Sequence, residues 1–184
     1  IVLLPLVQTL QEEWPTYSLT HLGLQLLFSG LSMVPLAVFL LACRQNLSTI
    51  GLSRFNLLPS LFLGIILASV TVLSYVIVYG KASQMPNGLS SSHLYYLVAM
   101  LSVGFIEEAI FRGYLQLRLA SWLGASRGWV LTAIIFTISH LGQSILGLIS
   151  VLVTGLIFGW TLWKSKNIVG LLIWHALIDW VWIL

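Results

Sequence analysis

LYYLVAMLSVGFIEEAIFRGYLQL, residues Leu94–Leu117, is apolar over a length that crosses a bilayer, yet it carries Glu107, Glu108 and Arg112. A bilayer's hydrocarbon core is about 30 Å thick and a helix rises about 1.5 Å per residue, so a span needs roughly 20 mostly apolar residues. Leu22–Cys43, Leu57–Tyr79 and Ser144–Trp163 meet that test without a charge. Gly128–Gln143 and Ile168–Leu184 are shorter, and apolar except for His140 in the first and His175 and Asp179 in the second. These segments predict an all-α, polytopic transmembrane helical bundle of about six spans.

Composition agrees. The 184 residues are 59% hydrophobic and 7% charged, with mean hydropathy +1.01, whereas soluble domains carry about 25% charged residues. Disordered, collagen-like and disulfide-rich classes are excluded with the soluble one. The single cysteine, Cys43, forms no internal disulfide, and no Cys/His spacing resembles a zinc finger. A net charge of +3 spread over eight scattered basic residues makes no nucleic-acid-binding face.

The chain opens at Ile1 and is apolar at once, so it is expected to be part of a longer protein with further spans. Residues 1–20 read as a stump, Ile1–Leu10, and an external loop holding Glu12 and Glu13. Residues 21–184 read as one membrane-embedded domain with its core at 94–184. Arg44, Arg54, Arg118, Arg127, Lys164 and Lys166 fall on one side of the six spans, and only Lys81 on the other. The positive-inside bias puts the basic loops in the cytoplasm and the C-terminus outside, in what is expected to be a bacterial cytoplasmic membrane. Trp122, Trp129 and Trp163 lie near span ends as interface anchors. His21 and His93 lie at span ends, where an interfacial role is expected. Gly155 and Gly159 form a GxxxG suited to close helix packing within the bundle.

Glu107, Glu108, Arg112, His140, His175 and Asp179 remain, six ionisable residues inside apolar segments. A charge at the bilayer centre costs roughly 2.5–3.5 kcal/mol on insertion scales, so such residues face a protein interior or a wet cavity. Glu108 and Arg112 are i, i+4 and share a helical face, as do His175 and Asp179. Glu107 lies 11 positions from Arg118, His140 lies 13 from Arg127 and His175 lies 9 from Lys166. At 1.5 Å per residue these are depths of roughly 16, 20 and 14 Å, near the bilayer middle on three helices. Either i, i+4 pair alone could serve as helix glue, worth about 1 kcal/mol. The whole set exceeds that need, because a second glutamate and a second histidine are left over.

A carboxylate and a histidine can together activate a water, and a further histidine or carboxyl can donate to a developing oxyanion. Serine catalysis fits poorly: no GxSxG elbow occurs, and Ser139 points about 100° away from His140 on a helix. Two histidines and a carboxylate also make a familiar zinc set, so Glu107, His140 and His175 are the ligands if zinc is present. A proton-coupled transporter would use the same residue types, but at several depths and with inverted repeats, and no repeat is visible. A catalytically inactive immunity or binding protein would tolerate loss of these side chains.

Gly104-Phe105-Ile106-Glu107-Glu108-Ala109-Ile110-Phe111-Arg112 resembles the EExxxR motif of the CPBP family, the CAAX proteases and bacteriocin-processing enzymes also called Abi. Phe136-Thr137-Ile138-Ser139-His140 resembles its FxxxH motif, and His175-Ala176-Leu177-Ile178-Asp179 its HxxxN/D motif. The three stand in the family's order on separate spans, within residues 94–184. The resemblance implies an intramembrane endopeptidase in which Glu107 and His140 activate the attacking water. It implies that His175 and Asp179 form or orient the oxyanion site, with Glu108 and Arg112 in support. Asp179 stands where the family's prenyl-protein proteases have asparagine, and an aspartate donates a hydrogen bond only when protonated. No cofactor is required in this reading. The expected partners are a peptide or lipidated-protein substrate, CAAX-type or bacteriocin-related, and membrane lipids; the sequence does not specify an oligomeric state.

Overall fold

All six apolar segments fold as helices in the computed structural model, which describes residues 18–79 and 90–181. The expected stump Ile1–Leu10, Glu12 and Glu13, Lys81, and the last residues of the expected span Ile168–Leu184 lie outside the described residues. The helices are α1, Leu19–Ala42; α2, Leu57–Tyr79; α3, Ser91–Leu123; α4, Ala125–Ile138; α5, Ile145–Ser165; and α6, Val169–Val181. A short 3₁₀ turn, Leu47–Ile50, joins α1 to α2. No strand occurs among the described residues.

Four of the helices are long and apolar enough to cross a membrane, and α4 and α6 are shorter. This refines the expectation of six spans. At 1.5 Å per residue the 14 residues of α4 reach only about 20 Å, and the described part of α6 has 13 residues. The expected span Gly128–Gln143 stops at Ile138: Ser139 turns its hydroxyl onto the Phe136 carbonyl, the His140 N–H closes a tight turn on Thr137, and Ser144 caps the next helix. Backbone that leaves a helix at membrane depth must end in protein or at a polar cavity.

The first turns of α1 and α3 explain two histidines. Ser18 and Ser90 are N-caps whose hydroxyls accept from the N–H of His21 and His93, while each histidine's Nδ1 accepts the cap serine's own N–H. This is a capping box with histidine in the usual Glu/Gln place.

Helix α6 is the centre of the packing, held between α2 and α3; α1 lies on α3, and α4 pairs with α5. Glycines set the closest approaches. A Cβ on Gly170 would lie 1.9 Å from the Ser60 carbonyl oxygen, and one on Gly64 would lie 2.1 Å from the Gly170 carbonyl oxygen. The Gly170 N–H donates to the Ser60 hydroxyl across the same crossing. Gly155 faces Ala133 and Gly159 faces Gln116 and Trp129, so the GxxxG packs within the bundle as expected. The connections rich in basic residues meet at one end: Arg118 donates to the Gln45 side chain and the Thr49 carbonyl, Asn56 to the Ser165 carbonyl, and Asn167 to the carbonyls of Ser53 and Phe55.

Candidate active site

Helix α3 changes its winding at the polar residues. Ser91–Glu107 is α-helical, Glu108–Gln116 is a nine-residue π-helix, and α-helical winding resumes at Leu117–Leu123. The π-helix bonds i to i+5 and is rare, occurring mostly as single turns at functional sites. Its wider turn separates successive side chains by less than the 100° of an α-helix. The buried face of this segment carries Glu108, Arg112 and Gln116 in a row.

Glu108 and Arg112 are fully buried and paired: Arg112 Nη1 donates to Glu108 Oε1 at 3.1 Å. The guanidinium lies 4.1 Å from the Phe136 ring centroid and 5.3 Å from that of Phe158, so two aromatic faces supply attraction that water does not. Glu108 Oε1 also accepts from His175, whose Nδ1–H lies 2.7 Å away. Gly104 makes that contact possible, because a Cβ there would press on the Leu172 carbonyl oxygen at 3.2 Å and the His175 Cβ at 3.4 Å.

The other nitrogen of His175 faces different company. Nε2 lies 3.6 Å from Glu107 Oε2 and 3.5 Å from Asp179 Oδ2, beyond good hydrogen-bond length. The Glu107 and Asp179 side chains retain 25% and 29% of their exposure, against 0% for Glu108. His140 is anchored in the same manner as His175. Its Nδ1–H donates to the Phe136 carbonyl at 2.8 Å, an oxygen that can only accept, which assigns the proton to Nδ1. Nε2 of the neutral ring then keeps its lone pair. Both imidazoles are therefore held through Nδ1, with Nε2 left for chemistry.

A cavity of about 610 Å³ opens beside these groups, bounded by His140, His175 and Asp179 on one side and by the N-terminal half of α5 on the other. Its size is that of a small-ligand or peptide-side-chain site. The structure thus joins Glu107, Glu108, Arg112, His175 and Asp179 in one network; His140, without a hydrogen bond to a carboxylate among the described residues, lines the cavity with His175 and Asp179. The expected i, i+4 contact of His175 with Asp179 is the longer one, and the short bond crosses to Glu108. Phe158 and the serine and threonine wall of α5 carried no signal in the sequence, because only packing brings them here.

The metal reading meets a geometric test. Nε2 lone pairs and a carboxylate are suitable zinc donors, but among the described residues no three His, Cys, Asp or Glu side chains converge to hold an ion.

Comparison with known proteins adds one match: the Rce1-like family, described as type II CAAX prenyl endopeptidase Rce1-like, covers residues 89–181, just over half of the chain. No curated protein and no solved structure matches the chain significantly.

Proposed function

This chain belongs to the family of type II CAAX prenyl endopeptidases of Rce1-like kind, and from that premise we propose that it cleaves a prenylated or otherwise lipidated peptide with a water activated by Glu107 and His140. The observation that supports this most is the shared anchoring of the two histidines through Nδ1, which leaves each Nε2 for water or substrate.

In this mechanism His140 Nε2 accepts a hydrogen bond from the water and aligns it, and Glu107 takes the water's proton as the oxygen attacks the scissile carbonyl carbon. The developing oxyanion faces His175, whose protonated form donates from Nε2 and whose ring is oriented through Nδ1 by Glu108. Glu107 passes its proton to the departing amide nitrogen as the C–N bond breaks, and a carboxylate and an amine result. Glu108 and Arg112 stay out of the proton traffic and hold His175 in place. Each residue acts without a metal. The protein is integral to the membrane, and the basic connections gathered at one end of the bundle are taken as cytoplasmic.

The test is cleavage in detergent of a prenylated peptide ending in a CAAX sequence, with a bacteriocin-precursor peptide in parallel. Wild type should cleave one of them, and Glu107→Gln and His140→Ala should lose turnover at equal expression and unchanged melting. Chelator and zinc add-back should leave the rate unchanged. Wild-type turnover in both variants would sink the water-activating pair, and inhibition by chelator with rescue by zinc would replace the metal-free mechanism.

A further inference from the structure

Helix α5 contributes a face to the cavity that the proposed mechanism does not use. Gly147, Ser150, Val151, Thr154 and Phe158 all line it, and their i+3 and i+4 spacing makes one continuous strip. Phe158 marks the deep end, with its ring centroid 5.4 Å from that of His175. Thr154 lies one turn nearer the mouth, and Ser150 one turn beyond it.

The two hydroxyls on this strip face the cavity and are not turned back onto their own helix. Thr71, Ser74, Ser102, Thr132, Thr137 and Ser139 all turn their hydroxyls onto a carbonyl three or four residues back, the usual refuge of a serine or threonine in an apolar helix. Ser150 and Thr154 make no such bond among the described residues, although α5 is one of the helices apolar enough to span a membrane. Ser150 is exposed and Thr154 half-buried, and both line the cavity, so both hydroxyls are open to whatever fills it. Spacing narrows the choice. Four helical residues advance about 6 Å, close to the roughly 6.6 Å between alternate residues of an extended chain.

We propose that Ser150 and Thr154 bind the main chain of an extended peptide at two alternate residues and so hold its scissile carbonyl beside His140 and His175. The occupant is a peptide because a run of main-chain N–H and C=O groups matches two hydroxyls one helical turn apart on the wall of a cavity that also holds His140 and His175. The inference rests on the protease reading of the neighbouring site, and its test separates the two.

The probe is a dye-labelled, prenylated peptide ending in a CAAX sequence, with the full chain in detergent. Affinity is measured in the Glu107→Gln background, and KM and kcat in the otherwise wild-type protein. Ser150→Ala and Thr154→Val should each raise Kd and KM about fivefold and together about 25-fold, with kcat held within about twofold. Thr154→Ser, which keeps the hydroxyl and loses the methyl, should restore most of the affinity. Unchanged Kd and KM in the double variant would overturn the inference and leave the protease reading standing. So would a Thr154→Ser variant as weak as Thr154→Val, since shape would then be the cause. Peptide that binds through the hydroxyls but is never cleaved would remove the protease reading alone, and no binding even to wild type would remove both.

Discussion

Glu107 and Glu108 are neighbours in sequence and opposites in environment. Glu108 is sealed, sharing one oxygen between Arg112 and His175. Glu107 keeps a quarter of its exposure, and its nearest charged contact is at 3.6 Å. The same division runs through the site. Nδ1 of both histidines and the Arg112 guanidinium belong to the closed side, while Nε2 of both histidines and the Asp179 carboxylate belong to the open side. A single polar cluster in a membrane bundle thus contains two kinds of charge: one held by geometry and one left free to react.

That comparison can be broken most sharply at Glu107. Glu107→Gln should lower turnover by about 10²–10⁴-fold, the usual worth of a positioned acid–base group, while thermal melting in detergent stays at the wild-type value. If melting falls as well, Glu107 belongs to the closed side after all. Arg112→Met is the converse experiment. It leaves Glu108 buried without its cation, a loss of about 3–5 kcal/mol, and should appear first as reduced expression and melting. Replacing Glu108 by Leu in that background should recover much of the stability, since an apolar pair often matches a buried ionic one. No recovery would mean that the Glu108 bond to His175 matters more than its bond to Arg112.

Smaller effects sharpen the boundary between the two sides. Phe136→Leu removes one aromatic face from Arg112 and should cost about 2 kcal/mol in melting experiments, because the cation is desolvated. An unchanged melting temperature would show that Phe158 alone suffices. Ser90→Ala should cost about 1 kcal/mol through loss of the α3 cap. It touches neither side of the site, so kcat on the prenylated peptide should not change.

Much of this was legible before any coordinates. The apolar runs specify helices in a membrane, since hydrophobic length against bilayer thickness is a local property. The Glu108–Arg112 contact follows from i, i+4 spacing in the same way. The GxxxG was read as bundle packing, and Gly155 against Ala133 bears that out. Hydropathy overstates the extent of α4, because apolar sequence continues through Ser139–Gln143 although the hydrogen bonds of Ser139 and His140 already form a turn.

By itself, then, the sequence determined the helical membrane class, the ionisable residues inside it and their partners one turn away. Tertiary structure alone decided which partner wins. Glu108 is buried on the π-helical segment, Gly104 and Gly170 let α6 pack closely, and His175 consequently donates its short hydrogen bond to Glu108 on another helix rather than to Asp179 on its own. Spacing along a chain reports contacts within a helix; contacts between helices depend on small residues and backbone winding far apart in sequence, which no local pattern encodes.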